Sequence, residues 1–226
     1  MSSHEDEYIL TTKILENLNS TNESSSPLVV LLACGPYNPI QQNDVEMFKI
    51  AKQYLEDLEE EYKYKVVAGY ISPSSEIYVN KKIKNPIPLK QRIDTINSLI
   101  DKSPWIEIMT WESLLPQNIR INDNVGHHQV VKRLSEFLNQ KNEKVIKSLN
   151  GRQLKIMYLC DSDQVFENEK EGVKHLENHG LVIVETYPPD ESKEPNCVTK
   201  LRELYSDKWN KFKDQVIYIK YNNKDH

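Results

Sequence analysis

Six short segments of the chain are apolar at almost every position: 28–34, 65–71, 105–109, 154–160, 181–184 and 216–219. The first, Leu28-Val29-Val30-Leu31-Leu32-Ala33-Cys34, has no polar residue at all. A strand that reads this way is buried on both faces, which is the signature of a parallel sheet covered by helices. Between the runs, apolar residues return at helical spacing. Val45, Phe48, Ala51, Leu55 and Leu58 mark a helix over 44–62; Ile93, Ile96 and Ile100 mark one over 89–101. A third starts near His127, with Val131, Leu134 and Leu138, and continues toward Leu149; two more fall at 168–178 and 198–213. This alternation predicts a doubly wound, Rossmann-like α/β sheet of about six parallel strands with helices on both faces.

Ahead of the first strand, 7–18 has the apolar spacing of a short helix, and 19–26 is a polar run that cannot build a core. The expected organisation is a flexible or partly helical lead-in over 1–26 and a single domain over 27–226. In a doubly wound sheet, ligands sit beyond the carboxyl ends of the strands. The segments that matter are therefore 35–44, 72–84, 110–115, 161–165 and 185–189.

Composition narrows the chemistry. With 29 Lys plus Arg against 34 Asp plus Glu, the net charge is −5, which argues against a nucleic-acid partner. No apolar run approaches the roughly 20 residues of a membrane helix, and the acidic start lacks the apolar core of a signal peptide. A cytoplasmic or nuclear protein with no membrane partner is expected. Cys34, Cys160 and Cys197 are too few and too scattered for a disulfide framework or a zinc site, so no metal site is expected from them. The chain has only 6 glycines and neither a P-loop nor a G-x-G-x-x-G run.

The strand-end segments carry a resemblance. Gly35-Pro36-Tyr37-Asn38-Pro39, followed by Asp44, is similar to the G-S-F-N-P-x-x-x-x-H segment of the nicotinamide mononucleotide adenylyltransferases. Ile71-Ser72-Pro73 with Tyr78, Asn80, Lys81 and Lys82 resembles their I-S-P-x-x-x-x-Y-x-K-K. Gln91-Arg92 stands at their H-R, and Trp105 with Thr110-Trp111-Glu112-Ser113 at their W-x-x-x-x-T/P-W-E-S. His127-His128-Gln129, Cys160-Asp161-Ser162-Asp163 and His179-Gly180-Leu181 match further segments of the eukaryotic branch, the last two of which read C-G-A-D and Y-G-L there. The matches keep their order over about residues 28–184.

The resemblance implies the chemistry of that family. The 5′-phosphate of a pyridine mononucleotide attacks the α-phosphate of ATP, giving NAD and pyrophosphate, with Mg²⁺ assisting. It implies nucleotide contacts at Gly35, Tyr37, Asn38, Lys81, Arg92 and Asp163, a pyridine ring at Trp111 and Thr110, and a catalytic position at Asp44. It also implies a homo-oligomer.

Several of those positions depart from the pattern. Asp44 replaces the histidine that donates to the α-phosphate, so a donor has become a carboxylate. Asp44 equally suits the positive end of a helix, with Asn43 as the cap and Glu46 completing a capping box. Pro36 replaces a serine, Asn80 a lysine and Asp161 a glycine, and Glu185 follows Leu181–Val184 where the family is basic. No I-S-x-T-x-x-R follows the last strand, and a chain that stops short of that helix is one reading of its absence. The changes fall on the triphosphate side, so ATP is the partner least supported. An adenylyltransferase impaired at the triphosphate site is expected. The alternative is an inactive nucleotide-binding paralogue, a pseudoenzyme serving as sensor or interaction module.

Overall fold

A computed structural model describes residues 7–20, 25–59, 63–114, 126–162, 164, 179–185, 197–206 and 209–220. The elements run α1 (Thr12–Asn19), β1 (Leu28–Gly35), α2 (Gln42–Asp57), β2 (Lys65–Pro73), α3 (Glu76–Lys82), α4 (Leu89–Ile100), β3 (Ile106–Ile108), α5 (Trp111–Leu114), α6 (His127–Glu136), α7 (Glu143–Leu149), β4 (Leu154–Asp161), β5 (Leu181–Val184), α8 (Cys197–Tyr205), α9 (Trp209–Phe212) and β6 (Val216–Ile219). The strands form one sheet in the order β3-β2-β1-β4-β5-β6, and every neighbouring pair is parallel. This is the doubly wound arrangement that the six apolar runs predict.

The continuous apolar character of β1 is explained by its two cores. Val29, Leu31 and Ala33 pack with Phe48 and Leu55 of α2 and Ile96 of α4. Leu28, Val30, Leu32 and Cys34 face the other side, with Ile14 and Leu18 of α1, Val130 and Leu134 of α6, and Val145 of α7. Successive residues of a strand point to opposite faces, so a strand covered twice has no polar side. On β2, Gly69 lets α2 approach: a Cβ there would lie 2.8 Å from Phe48 Cδ1 and 3.0 Å from Trp105 Cζ3.

Residues 7–18, expected as a short helix, supply α1, and that helix is tied into the sheet. Ile14 and Leu18 are fully buried. The Tyr70 hydroxyl donates to the Leu10 carbonyl at 2.7 Å, Lys13 Nζ to the Ile106 carbonyl at 2.7 Å, and Asn17 Nδ2 to the Val67 carbonyl at 3.1 Å. The carboxylate of Glu107, on β3, accepts the Lys13 backbone N–H at 3.2 Å and so caps α1 from another element.

Three helical expectations need correction. The helix after β1 starts at Gln42 and ends at Asp57, earlier at both ends than the apolar spacing suggests. The helix from His127 is interrupted by a π-helical stretch at Phe137–Lys141 before α7 begins. In that stretch Asn139 exchanges hydrogen bonds with the Leu154 backbone at 3.1 and 2.9 Å, pinning the start of β4. Residues 76–82 and 111–114, within the segments beyond the strand ends where no helix was marked, form α3 and α5. The helix expected at 168–178 lies outside the described residues.

Candidate functional site

The point where strand order reverses lies between β1 and β4. Their ladder runs from Leu28/Leu154 to Leu32/Tyr158, while β1 stays paired with β2 up to Gly35/Pro73. Both strands thus extend beyond their shared ladder, β1 to Gly35 and β4 to Asp161. The crevice between these ends is where a doubly wound fold takes its ligand.

Loop residues after β1 close over the crevice. Tyr37 has φ +42°, a left-handed conformation that costs a non-glycine residue about 1 kcal/mol. The turn throws its ring back over Gly35, where a Cβ would sit 3.2 Å from Tyr37 Cζ. A side chain at 35 would require the ring to give by a few tenths of an ångström. The Tyr37 phenol is buried near Cys34, Asp44, Glu112 and Asp161, and burial followed by those charges pushes its pKa well up. Asn38 accepts the Ile87 N–H on its Oδ1 at 2.6 Å, fixing the loop to the segment before α4.

Arg92 makes the second tie. It is fully buried on α4, with Nη1 donating to the carbonyls of Pro36 at 2.8 Å and Ser74 at 3.0 Å, and Nε to Ile87 at 3.2 Å. One guanidinium therefore joins the loops after β1 and β2. Its Nη2 is buried with no hydrogen-bond partner. Burial lowers its pKa, opposed by the charges of Glu76 and Glu112. Glu112 is itself buried (3% exposed), and its Oε2 accepts from Ser72 Oγ at 3.3 Å.

Asp44 stands in the first turn of α2. Its Oδ2 accepts the Gln41 N–H at 2.6 Å, while the Asp44 N–H donates to the Gln41 carbonyl at 3.1 Å. The N-cap is Gln41, not Asn43, and Glu46 pairs with Lys49 at 2.8 Å instead of completing a box. Burial raises the Asp44 carboxyl above its ordinary value, against the Gln41 N–H. At the end of β4, Asp161 Oδ1 accepts the Gln164 N–H at 2.7 Å. Each of the two carboxylates thus holds a backbone amide of the turn it stands in.

The remaining expected residues follow β2 and β3 in the chain. Lys81 is exposed near the end of α3, and Thr110 is half-buried, its N–H donating to the Tyr8 carbonyl at 3.0 Å. Trp111 is half-buried at the start of α5. Asp163 lies outside the described residues. Three further residues were not singled out from the sequence: Glu112 and Tyr158, which act electrostatically with Tyr37, and Arg133 beside Trp111. The Tyr158 hydroxyl is 2.8 Å from His127 Nδ1. Arg133 packs its guanidinium 5.9 Å from the centre of the Trp111 ring. The sequence signal for Arg133 was available, since it falls three residues after Val130 and next to Leu134 on the buried side of α6.

Among the described residues, no group of three or more His, Cys, Asp or Glu side chains converges to hold a metal. A Mg²⁺ accompanying a nucleotide is held mainly by phosphates and water with one or two carboxylates, and Asp44, Glu112 and Asp161 are the acids whose charges act on Tyr37 in the loop after β1. Among the described residues no helix is long and apolar enough to cross a membrane.

No family model matches the chain. It is 36% identical over 118 residues to nicotinamide/nicotinic acid mononucleotide adenylyltransferase 1 of Bos taurus, covering 52% of this chain and 40% of that protein. It is 28% identical over 169 residues to the Schizosaccharomyces pombe nicotinamide/nicotinic acid mononucleotide adenylyltransferase, covering 74% and 42%. The chain thus spans about two fifths of the length of these curated relatives. A solved Plasmodium falciparum nicotinic acid mononucleotide adenylyltransferase complexed with APC is similar with a TM-score of 0.48 and 10% identity, over 86% of this chain and 75% of that one. By its sequence relationships the chain is similar to the nicotinamide/nicotinic acid mononucleotide adenylyltransferases over part of their length.

Proposed function

We propose that this protein binds a pyridine mononucleotide or NAD in the crevice between β1 and β4, and that its adenylyl transfer from ATP is weak. The observation that carries the reading is the Asp44 carboxylate, anchored 2.6 Å from the Gln41 N–H where the family presents an imidazole. An imidazole there donates to a phosphate; a carboxylate fixed in the same turn repels one. Losing one such donor costs about 10²–10³ in rate at comparable sites. Asp161 adds a second negative charge, and Pro36 removes a backbone donor from the same loop.

In this reading the chain's residues position and do not react. Arg92 and Asn38 hold the loop after β1 against α4, and Trp111 offers a ring face at the side of the crevice. Lys81 and the first turn of α3 lie on the phosphate side. Any Mg²⁺ would enter with ATP and neutralise phosphate charge. A cytoplasmic or nuclear setting goes with this function.

NAD formation from ATP, Mg²⁺ and mononucleotide is the direct assay. Slow turnover that depends on the protein supports a weakened enzyme. The half-buried carboxylates Asp44 and Asp161 favour a second reading, an inactive nucleotide-binding sensor or interaction module. It requires no NAD above the protein-free control at micromolar protein, with mononucleotide binding retained.

A further inference from the structure

The helix α1 carries no cap of its own. Thr11, at its N-cap, makes no side-chain capping bond, and its first turn holds no acid. The cap comes instead from β3, where the Glu107 carboxylate accepts the Lys13 N–H at 3.2 Å. Glu107 is 4% exposed, and its Oε2 is buried with no hydrogen-bond partner. A carboxylate held this deep is costly unless donors and charges surround it. The strongest of these come from α1: burial raises the Glu107 pKa, opposed first by the Lys13 N–H and charge and then by the Thr12 N–H. Just ahead of α1, the same segment meets the end of β3. Ile9 bridges Met109 in antiparallel fashion, and the Tyr8 carbonyl accepts the Thr110 N–H at 3.0 Å. The Thr110 carbonyl in turn accepts the Leu114 N–H at 2.9 Å and the Ser113 hydroxyl at 3.1 Å, so α5 is built on it. A helix of four residues does not persist alone, because nucleation outweighs the bond gained. The conformation of α5 therefore depends on where Thr110 is held.

We infer that residues 7–19 form a strap that sets the conformation of the junction between β3 and α5, with Glu107 as its latch. Release of the strap and loosening of 109–114 are then one event. The latch has two states. With α1 docked, the carboxylate caps the helix, and the Lys13 ammonium sits on the carbonyls of Ile106 and Ile100 at 2.7 and 3.4 Å. With α1 lifted, water takes over the carboxylate. A half-docked helix would leave it buried and uncapped, which is the costly arrangement. Tyr70 makes a second tie between latch and junction, its hydroxyl donating to the Leu10 carbonyl at 2.7 Å. Glu107, Lys13 and Tyr70 thus act on α5 through the strap, as positioning residues. The device is a property of the fold and stands whether or not the crevice takes a mononucleotide.

Hydrogen exchange of the full chain, resolved by peptide with mass spectrometry, tests this in wild type, K13M, Y70F and E107Q. L10A, at an exposed side chain of the same stretch, is the control. K13M, Y70F and E107Q all lie outside 109–114, so a change there must be transmitted. Each should speed exchange about tenfold in 7–19 and by the same factor in 109–114. The peptides of α2 and α4, on the opposite face of the sheet, should keep wild-type protection. L10A should change neither segment. Faster exchange in 7–19 with 109–114 unmoved would separate the strap from the junction and overturn the inference. A rise spread evenly over the whole chain is a general loss of stability and overturns it equally. Unchanged exchange in both segments for all three variants would mean that these side chains do not hold the strap, and the inference falls.

Discussion

The carboxylate of Asp44 accepts the backbone N–H of Gln41 at 2.6 Å, across the first turn of α2. Its side chain closes the capping box of its own helix, whose N-cap is Gln41. Its burial raises its pKa, so folding favours the protonated form. That contribution is complete below the unfolded value near 3.9 and is lost as pH rises through the folded value. At pH 7 the ionised side chain therefore carries a cost that the cap only offsets. Asp44→Asn keeps an acceptor without the charge and should be at least as stable as wild type in urea denaturation at pH 7. Asp44→Ala should fall below Asp44→Asn by about 1 kcal/mol. Equal stability of Asn and Ala variants would remove the capping role. Asp44→His restores a donor and should raise any residual NAD formation.

Arg92 should behave as a brace. Its guanidinium links the carbonyls of Pro36, Ser74 and Ile87, and it is buried. Arg92→Ala leaves those acceptors dry and opens a void, at a cost of about 3 kcal/mol. Arg92→Met, which fills the space but cannot donate, should lose less than Ala and still more than 1 kcal/mol, roughly. Chemical denaturation of both variants decides the matter, and a loss in Arg92→Ala within about 0.5 kcal/mol of zero, the scatter of a surface change, would contradict it.

Much of this was written in the chain, and what was not has identifiable causes. The β1 run Leu28–Cys34 could only be a doubly covered strand, and its position fixed where the crevice would be. The start of α2 was misread because Gln41 is not a favoured capping residue, whereas Asn43 is; the side chain that closes the turn, Asp44, was read as suiting the positive helix end, and the capping box was given to Glu46. Arg92 could not be placed from sequence. Its acceptors are backbone carbonyls 56 and 18 residues away, and carbonyls leave no mark on a sequence. The burial of Arg133 had a local sign, a charge among Val130, Val131 and Leu134, but its neighbour Trp111 lies on another element.

The N-terminal helix should contribute to global stability. Ile14 and Leu18 are fully buried in the cluster that contains Val30, Leu32 and Leu134. Ile14→Ala and Leu18→Ala should each lower the unfolding free energy by about 2–4 kcal/mol. Solvent-exposed Leu10, 49% accessible in the same stretch, serves as the control, and Leu10→Ala should change little. Comparable small effects for all three would mean that α1 is only loosely attached.

Acid should weaken the fold through His179. Burial, and after it the charge of His128, lower its pKa from 6.5 to about 4. Folding thus favours the neutral ring. The contribution is complete above 6.5 and is lost as pH falls toward about 4. Melting temperature should decline between pH 6.5 and 4.5, and His179→Gln should flatten that decline. An unchanged slope in His179→Gln would assign the acid sensitivity elsewhere.

The central claim is that the crevice between β1 and β4 still accepts a mononucleotide but no longer favours a triphosphate. Ligand-dependent stability, measured on the same preparation with mononucleotide, NAD and ATP with Mg²⁺, tests it most directly. A ligand present at 100 times its dissociation constant adds about 2.7 kcal/mol. The mononucleotide and NAD should raise the melting temperature, while ATP at equal concentration leaves it nearly unchanged. Strong stabilisation by ATP, equal to that by the mononucleotide, would contradict the account.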